Sequence, residues 1–128
     1  MKLFAVSVLG ALLCCFAACE TQNNDYYEYS FIDTVLAGDT IRNDDPAPVV
    51  HVYPRGCNHF DRFESTESAD TLDLAVLYHF DYEGRPCVHG SGLDTTNCVL
   101  SFSAGGARYM RYQRDDSTWI VQPVFVED

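Results

Sequence analysis

Between Thr71 and Phe80 the chain reads TLDLAVLYHF. Leu72, Leu74, Val76, Tyr78 and Phe80 share one face, and Thr71, Asp73, Ala75, Leu77 and His79 share the other. Successive side chains of a strand point to opposite faces. This period of two therefore predicts a strand with one strongly buried face and a mixed outer one. YSFIDTVL, PVVHVYP, HFDRFEST, CVLSFS, ARYMRYQ and TWIVQPVFV are the other strand candidates. No long segment keeps a 3.6-residue apolar period with caps. Turn chemistry separates the strands at Gly38-Asp39, Asn43-Asp44-Asp45-Pro46, Glu83-Gly84, Gly90 to Gly92, Gly105-Gly106 and Asp115-Asp116-Ser117. About seven short strands at this spacing predict an all-β fold, a two-sheet antiparallel sandwich. The last two form a hairpin turning at Asp115-Asp116-Ser117. Pro123 has no N–H to give a ladder and belongs at an edge or bulge.

The N-terminal stretch follows another rule. After Lys2, only Ser7 and Gly10 interrupt the apolar run from Leu3 to Ala18. That run is shorter than the roughly 20 residues a spanning helix needs. A charged start, a short apolar middle and small residues at its end describe a secretory signal peptide. The segment FAAC, ending at Cys19, resembles the bacterial lipobox L-[AS]-[GA]-C, with Phe16 where leucine is commonest. The resemblance implies cleavage before Cys19 and a diacylglycerol thioether on Cys19. ETQNNDYYEY follows without an aliphatic residue and reads as a tether. The expected organisation is a signal peptide at 1–18, a lipidated cysteine and flexible tether at 19–29, and a β-sandwich domain at 30–128.

Charge narrows the partners. The whole chain has 8 basic and 19 acidic residues. Removing residues 1–18 takes away Lys2, leaving 7 arginines against 19 acids, a net of −12. Nucleic acid and anionic lipid surfaces repel such a chain. Its membrane partner is reached through the lipid on Cys19, since several acyl chains on one cysteine anchor firmly. The expected location is the bacterial cell envelope, at the outer membrane, periplasmic or surface-exposed.

With Cys19 lipidated, Cys57, Cys87 and Cys98 remain for an oxidising compartment, which makes one bridge and one spare thiol. Loop closure separates Cys57–Cys87 from Cys87–Cys98 by less than about 1 kcal/mol, too little to choose between them. The segments RGCNHFDRFESTESADTLDLAVLYHFDYEGRPC and ARYMRYQRDDSTWIVQPVFV resemble a class of small exported bacterial lipoproteins of largely unknown function. These carry one immunoglobulin-like domain with a Gly-Cys start, a Phe-rich strand, a long alternating strand and Gly-x-x-Cys. The resemblance covers roughly residues 49 to 126. It implies an immunoglobulin-like sandwich and a Cys57–Cys87 bridge. Cys98 begins an apolar strand, where a buried free thiol is ordinary.

Several constellations carry candidate chemistry. CNH and CVH place Cys57 with His59 and Cys87 with His89, two apart and hence on one strand face. If the segments were neighbours, Cys57, His59, Cys87 and His89 would make a tetrahedral zinc site. A disulfide beside two surface histidines is the reading preferred, with no metal and no cofactor. VHGSGLD offers Ser91 with His89 and Asp94, but it lacks the G-x-S-x-G elbow and reads as a glycine-rich turn. The acidic loop with Asp39, Asn43, Asp44 and Asp45 lacks EF-hand spacing and reads as a solvated turn rather than a calcium site. Tyr26, Tyr27, Tyr29, Tyr53, Tyr109, Tyr112 and Trp119 are the aromatics able to stack on sugars or anchor a protein.

No coherent catalytic set emerges. The sequence points to a non-enzymatic envelope lipoprotein whose sandwich is an interaction or structural module for an envelope protein. The alternative is a ligand-binding accessory domain for a cell-surface glycan or a metal.

Overall fold

The computed structural model describes residues 26–81, 87 and 90–127. Cys19, the signal peptide, His89 and residues 19–25 of the tether lie outside the described residues. Nine strands run in chain order: β1 Tyr26–Ser30, β2 Ile32–Val35, β3 Thr40–Arg42, β4 Pro46–Tyr53, β5 Asn58–Ser68, β6 Thr71–Phe80, β7 Gly92–Val99, β8 Gly106–Gln113 and β9 Trp119–Glu127. They form two sheets in a sandwich-like arrangement. The six-stranded sheet has β1, β6, β8, β9 and β3 along its path, with β5 also paired to β6; the three-stranded sheet has the order β2-β4-β7.

β6 organises the larger sheet. Its inward residues Leu72, Leu74, Val76, Tyr78 and Phe80 are all buried, as the alternation predicts. They meet Ile32 and Val35 from β2, Ala47 and Val49 from β4, Met110 and Tyr112 from β8, and Val124 and Val126 from β9. Each such aliphatic side chain contributes about 1.5–3 kcal/mol by leaving water. Leu77 points the other way yet is also buried, because Tyr29 and Arg62 stand directly across from it on β1 and β5. β5 covers one edge of β6 from Thr71 to Phe80. The other edge changes partner: β8 runs parallel to residues 71–73, and β1 runs antiparallel to residues 76–80. Between them Leu74 and Ala75 floor a cleft of about 260 Å³, with Tyr29, Gln113 and Trp119 at its sides.

Nine strands stand among the described residues where about seven were expected. YSFIDTVL splits at Phe31 into β1 and β2, which belong to different sheets. The crossing is pinned to β4: Val52 N–H donates to the Phe31 carbonyl at 2.9 Å, and Ser30 Oγ donates to the Val52 carbonyl at 2.5 Å. Residues 26–29, read above as the end of the tether, are instead most of β1. The acidic loop contains β3, which runs parallel to the end of β9. β7 begins at Gly92, earlier than the strand CVLSFS suggests, and its state is set by eight register pairs with β4. Leu100 and Phe102 are buried beyond its end.

The hairpin at the C-terminus turns where expected, with Gln113 opposite Trp119. Ser117 N–H donates to Asp115 Oδ1 at 2.9 Å, and Arg114 N–H donates to the Thr118 carbonyl at 2.9 Å. Pro123 sits in β9 opposite Tyr109. Phe125 N–H donates outward to the Asp39 carbonyl at 2.8 Å. Residue 123 has the same parity, so the proline's missing donor falls on the flank that β3, reaching only Phe125–Glu127, leaves uncovered.

Candidate functional site

On β4 the inward positions are Ala47, Val49, His51 and Tyr53, so a histidine occupies a core place and is completely buried. Its ring lies among Phe60, Phe63 and Tyr78, with centroids 5.3, 5.7 and 5.6 Å away. A buried imidazole requires partners for both nitrogens. His51 Nδ1 is 2.5 Å from the Tyr78 hydroxyl, and Nε2 is 2.9 Å from Thr96 Oγ1. With the phenol donating to Nδ1, the ring proton sits on Nε2 and is donated to Thr96. Burial lowers the pKa of His51, against a smaller upward pull from Asp94, its register partner on β7. Burial, then the charge of Asp94, pushes the Tyr78 phenol above its ordinary value. Both groups are therefore neutral and hold one another. They join the two sheets through a polar chain from Thr96 to Tyr78.

Tyr78, at one end of these bonds, is part of the wall of a cavity of about 420 Å³ lined by Tyr53, Asn58, His59, Phe60, Tyr78 and Asp94. Tyr53 faces Gly92 across the β4–β7 ladder. A Cβ at 92 would overlap the Tyr53 phenol, so glycine there lets the ring lie across β7. Asn58 donates through Nδ2 to the carbonyls of Pro54 and Gly56 at 2.6 and 3.0 Å, which leaves its oxygen as the remaining side-chain acceptor. His59 stands opposite His79, with His59 Nε2 3.1 Å from His79 Nδ1. Tyr27 stacks on His79 at a centroid distance of 4.7 Å.

Cys57 and Cys87 form a disulfide 30 residues apart, and Cys98 is a free, buried cysteine whose thiol pKa is raised by burial. The bridge takes both thiols away from the zinc set of Cys57, His59, Cys87 and His89. The neighbour of His59 is His79, while His89 lies outside the described residues. Among the described residues no three His, Cys, Asp or Glu side chains gather to hold a metal. Asn43 of the acidic loop is tied to Phe102, donating to its carbonyl at 2.8 Å and accepting from its N–H at 2.6 Å. Asp44 accepts from Ser101 Oγ at 2.5 Å. These contacts fasten the loop to the end of β7. Asp94, considered above beside Ser91, lines the cavity instead.

The other aromatics divide four ways. Tyr112 is in the core; Tyr26 stacks on Phe80 with centroids 4.8 Å apart; and Tyr29 donates to Glu64 at 2.5 Å. Tyr109, Trp119, Val121 and Phe125 form an outward apolar strip on β8 and β9, exposed by 40, 54, 56 and 53%. Pro123 continues it. Arg111 forms a two-pronged pair with Asp73 at 2.7 and 2.9 Å, and its guanidinium carbon lies 5.1 Å from the Trp119 ring centroid. Residues 106–126 hold three arginines and two aspartates, a net of +1, so the remainder of the −11 chain carries −12.

Sequence reasoning did not single out His51, Tyr78 and Thr96 as a set. Parity alone puts His51 with Ala47 and Val49, and Tyr78 with the core of β6, but their meeting depends on how the sheets stack. Comparison with protein-family models, with characterised proteins and with solved structures gives no match for this chain.

Proposed function

We propose that this chain is a membrane-anchored bacterial lipoprotein whose immunoglobulin-like β-sandwich is a non-enzymatic interaction module at the cell envelope. The strip of Tyr109, Trp119, Val121, Pro123 and Phe125 is its docking face for a protein partner. That strip carries the reading: four large side chains exposed side by side, on a stretch, residues 106–126, of net charge +1 in a strongly acidic chain. Apolar patches of this kind mark interaction sites. The disulfide supports an exported location, since such bridges persist in oxidising compartments. The lipobox-like FAAC supports attachment through Cys19.

A protein fits the face better than a glycan. A sugar ring stacks on an open aromatic face, and Arg111 already lies over Trp119. Val121 and Pro123 offer no hydrogen-bonding groups through their side chains, which carbohydrate recognition needs. A photo-crosslinking residue at 121, in cells, should give one protein adduct of defined mass, while the same residue at Thr95 on the other sheet gives none. Cys19→Ser should abolish acylation and, with it, the adduct. A glycan adduct at 121, or equal labelling from both positions, would overturn the docking face. Continued lipid incorporation in Cys19→Ser would overturn the anchor.

A further inference from the structure

The cavity behind which His51 and Tyr78 meet is a second site, separate from the docking strip. β8 meets β6 at residues 71–73, while Tyr78 lies about 15–20 Å further along the same strand. The groups that line the cavity share one chemical character. Tyr53 and Phe60 bring ring faces, and Asp94 brings a carboxylate. Asn58 has committed its amide hydrogens to Pro54 and Gly56. The Tyr78 hydroxyl, donating to His51 Nδ1, keeps only acceptor capacity. His59 directs Nε2 toward His79. Among the described residues no lysine or arginine lines the cavity. With one carboxylate, aromatic faces and no fixed positive charge among the described lining residues, the space disfavours anions. It complements a group that is positively charged and rich in N–H donors.

We propose that this cavity receives a compact organic cation with N–H donors, an alkylammonium or guanidinium group. Its volume of about 420 Å³ suits a ligand the size of an amino-acid side chain or a short diamine. The cation would set its donors on Asp94 and the Asn58 oxygen, and its charge against the Tyr53 and Phe60 rings. Gly92 gives the site its shape, because it alone lets Tyr53 lie across β7. The acidity of the chain concentrates cations around it.

The test uses the full chain, purified in detergent as the cell makes it and labelled with ¹⁵N. It is titrated with argininamide and with citrullinamide, which has nearly the same shape but an uncharged side chain. Saturable amide shifts at Tyr53, Asn58, His59 and Asp94 are expected with argininamide, and citrullinamide should bind about tenfold more weakly or not at all. Asp94→Asn and Tyr53→Leu should each weaken binding by about two- to fivefold, while Glu28→Gln on β1 leaves it unchanged. Equal response to both probes, shifts spread over the acidic surface, or undiminished binding in Asp94→Asn with its native spectrum retained would each overturn the proposal. Two further probes separate the sources of the cation. A blocked tripeptide Gly-Arg-Gly binding more tightly than putrescine identifies a basic side chain of a protein, and the reverse order identifies a free amine.

Discussion

Tyr78 of β6 and His51 of β4 meet across the two sheets, with the phenol oxygen 2.5 Å from Nδ1 of a fully buried imidazole. The contact ties the sheets by a directional bond inside an otherwise apolar core. Removing one partner strands the other. Tyr78→Phe should cost about 1–3 kcal/mol, the penalty of a buried unsatisfied group. Tyr78→Phe combined with His51→Leu should cost less than the sum of the two single changes, because the double variant leaves less to strand. Chemical denaturation of the four proteins measures this; strict additivity would show that the bond does not couple the sheets.

The same histidine gives the fold a pH dependence. Its folded pKa lies below the unfolded value, so the unfolded chain takes up the proton first as pH falls. The stability due to neutral His51 is complete above about pH 6.5. It declines below that, by up to about 1.4 kcal/mol per pH unit, until the folded pKa is reached. Unfolding curves for the wild type and His51→Gln between pH 8 and 5 should converge or cross as pH falls. Parallel curves would contradict the assignment.

The β5–β6 turn stores strain that one substitution should release. Ala69 has φ of 55°, a conformation that L-residues other than Asn and Asp seldom adopt. Ser68 pairs with Thr71, so only Ala69 and Asp70 make the turn. Ala69→Gly should raise stability by about 0.5–1 kcal/mol, and thermal unfolding reads it directly. A drop in Tm would mean that the gain in unfolded-state freedom outweighs the strain.

Thiol chemistry separates the three domain cysteines. Cys98 is buried with a raised pKa, so it should resist alkylation in the folded chain and react fully on unfolding. Cys57 and Cys87 should react only after reduction. Replacing both with serine should cost about 3–4 kcal/mol, from the 30-residue loop they close. Three reactive thiols in the unfolded, unreduced chain would be incompatible with the bridge.

The strip proposed as a docking face should separate stability from function. Val121 is more than half exposed, so Val121→Asp should change stability by no more than about 0.5 kcal/mol. Crosslinking from a neighbouring strip position such as Phe125 should nevertheless disappear. Retained crosslinking in a folded Val121→Asp protein would remove the strip from the interface.

What the sequence discloses follows from which forces are local. β6 was fully legible, because its period-two pattern is a property of the segment alone. The β8–β9 hairpin was legible too, since Asp115 and Ser117 carry the turn in their own side chains. The split at Phe31 was not, because YSFIDTVL keeps an acceptable strand pattern across it. Only the bonds from Ser30 and Phe31 to Val52 decide where the chain leaves one sheet for the other. β7 was misplaced for a related reason. GLDTTNCV has weak patterning of its own and is a strand through its ladder with β4, whereas the stronger apolar signal of Leu100 and Phe102 marks burial without a strand. For the site, the Cys57–Cys87 pairing came from resemblance. The meeting of His51, Tyr78 and Thr96 came from neither resemblance nor pattern, because three strands far apart in the chain supply it.

The change of partner along β6 also has a mechanical meaning. Tension on the chain ahead of Tyr26 enters the domain at the Tyr26–Phe80 pair and loads β1 lengthwise along five register pairs. At Phe31 the load passes to the other sheet, where Val52 of β4 grips both Ser30 and Phe31. A pull there is shared between two sheets and leaves β8 and β9 outside its path.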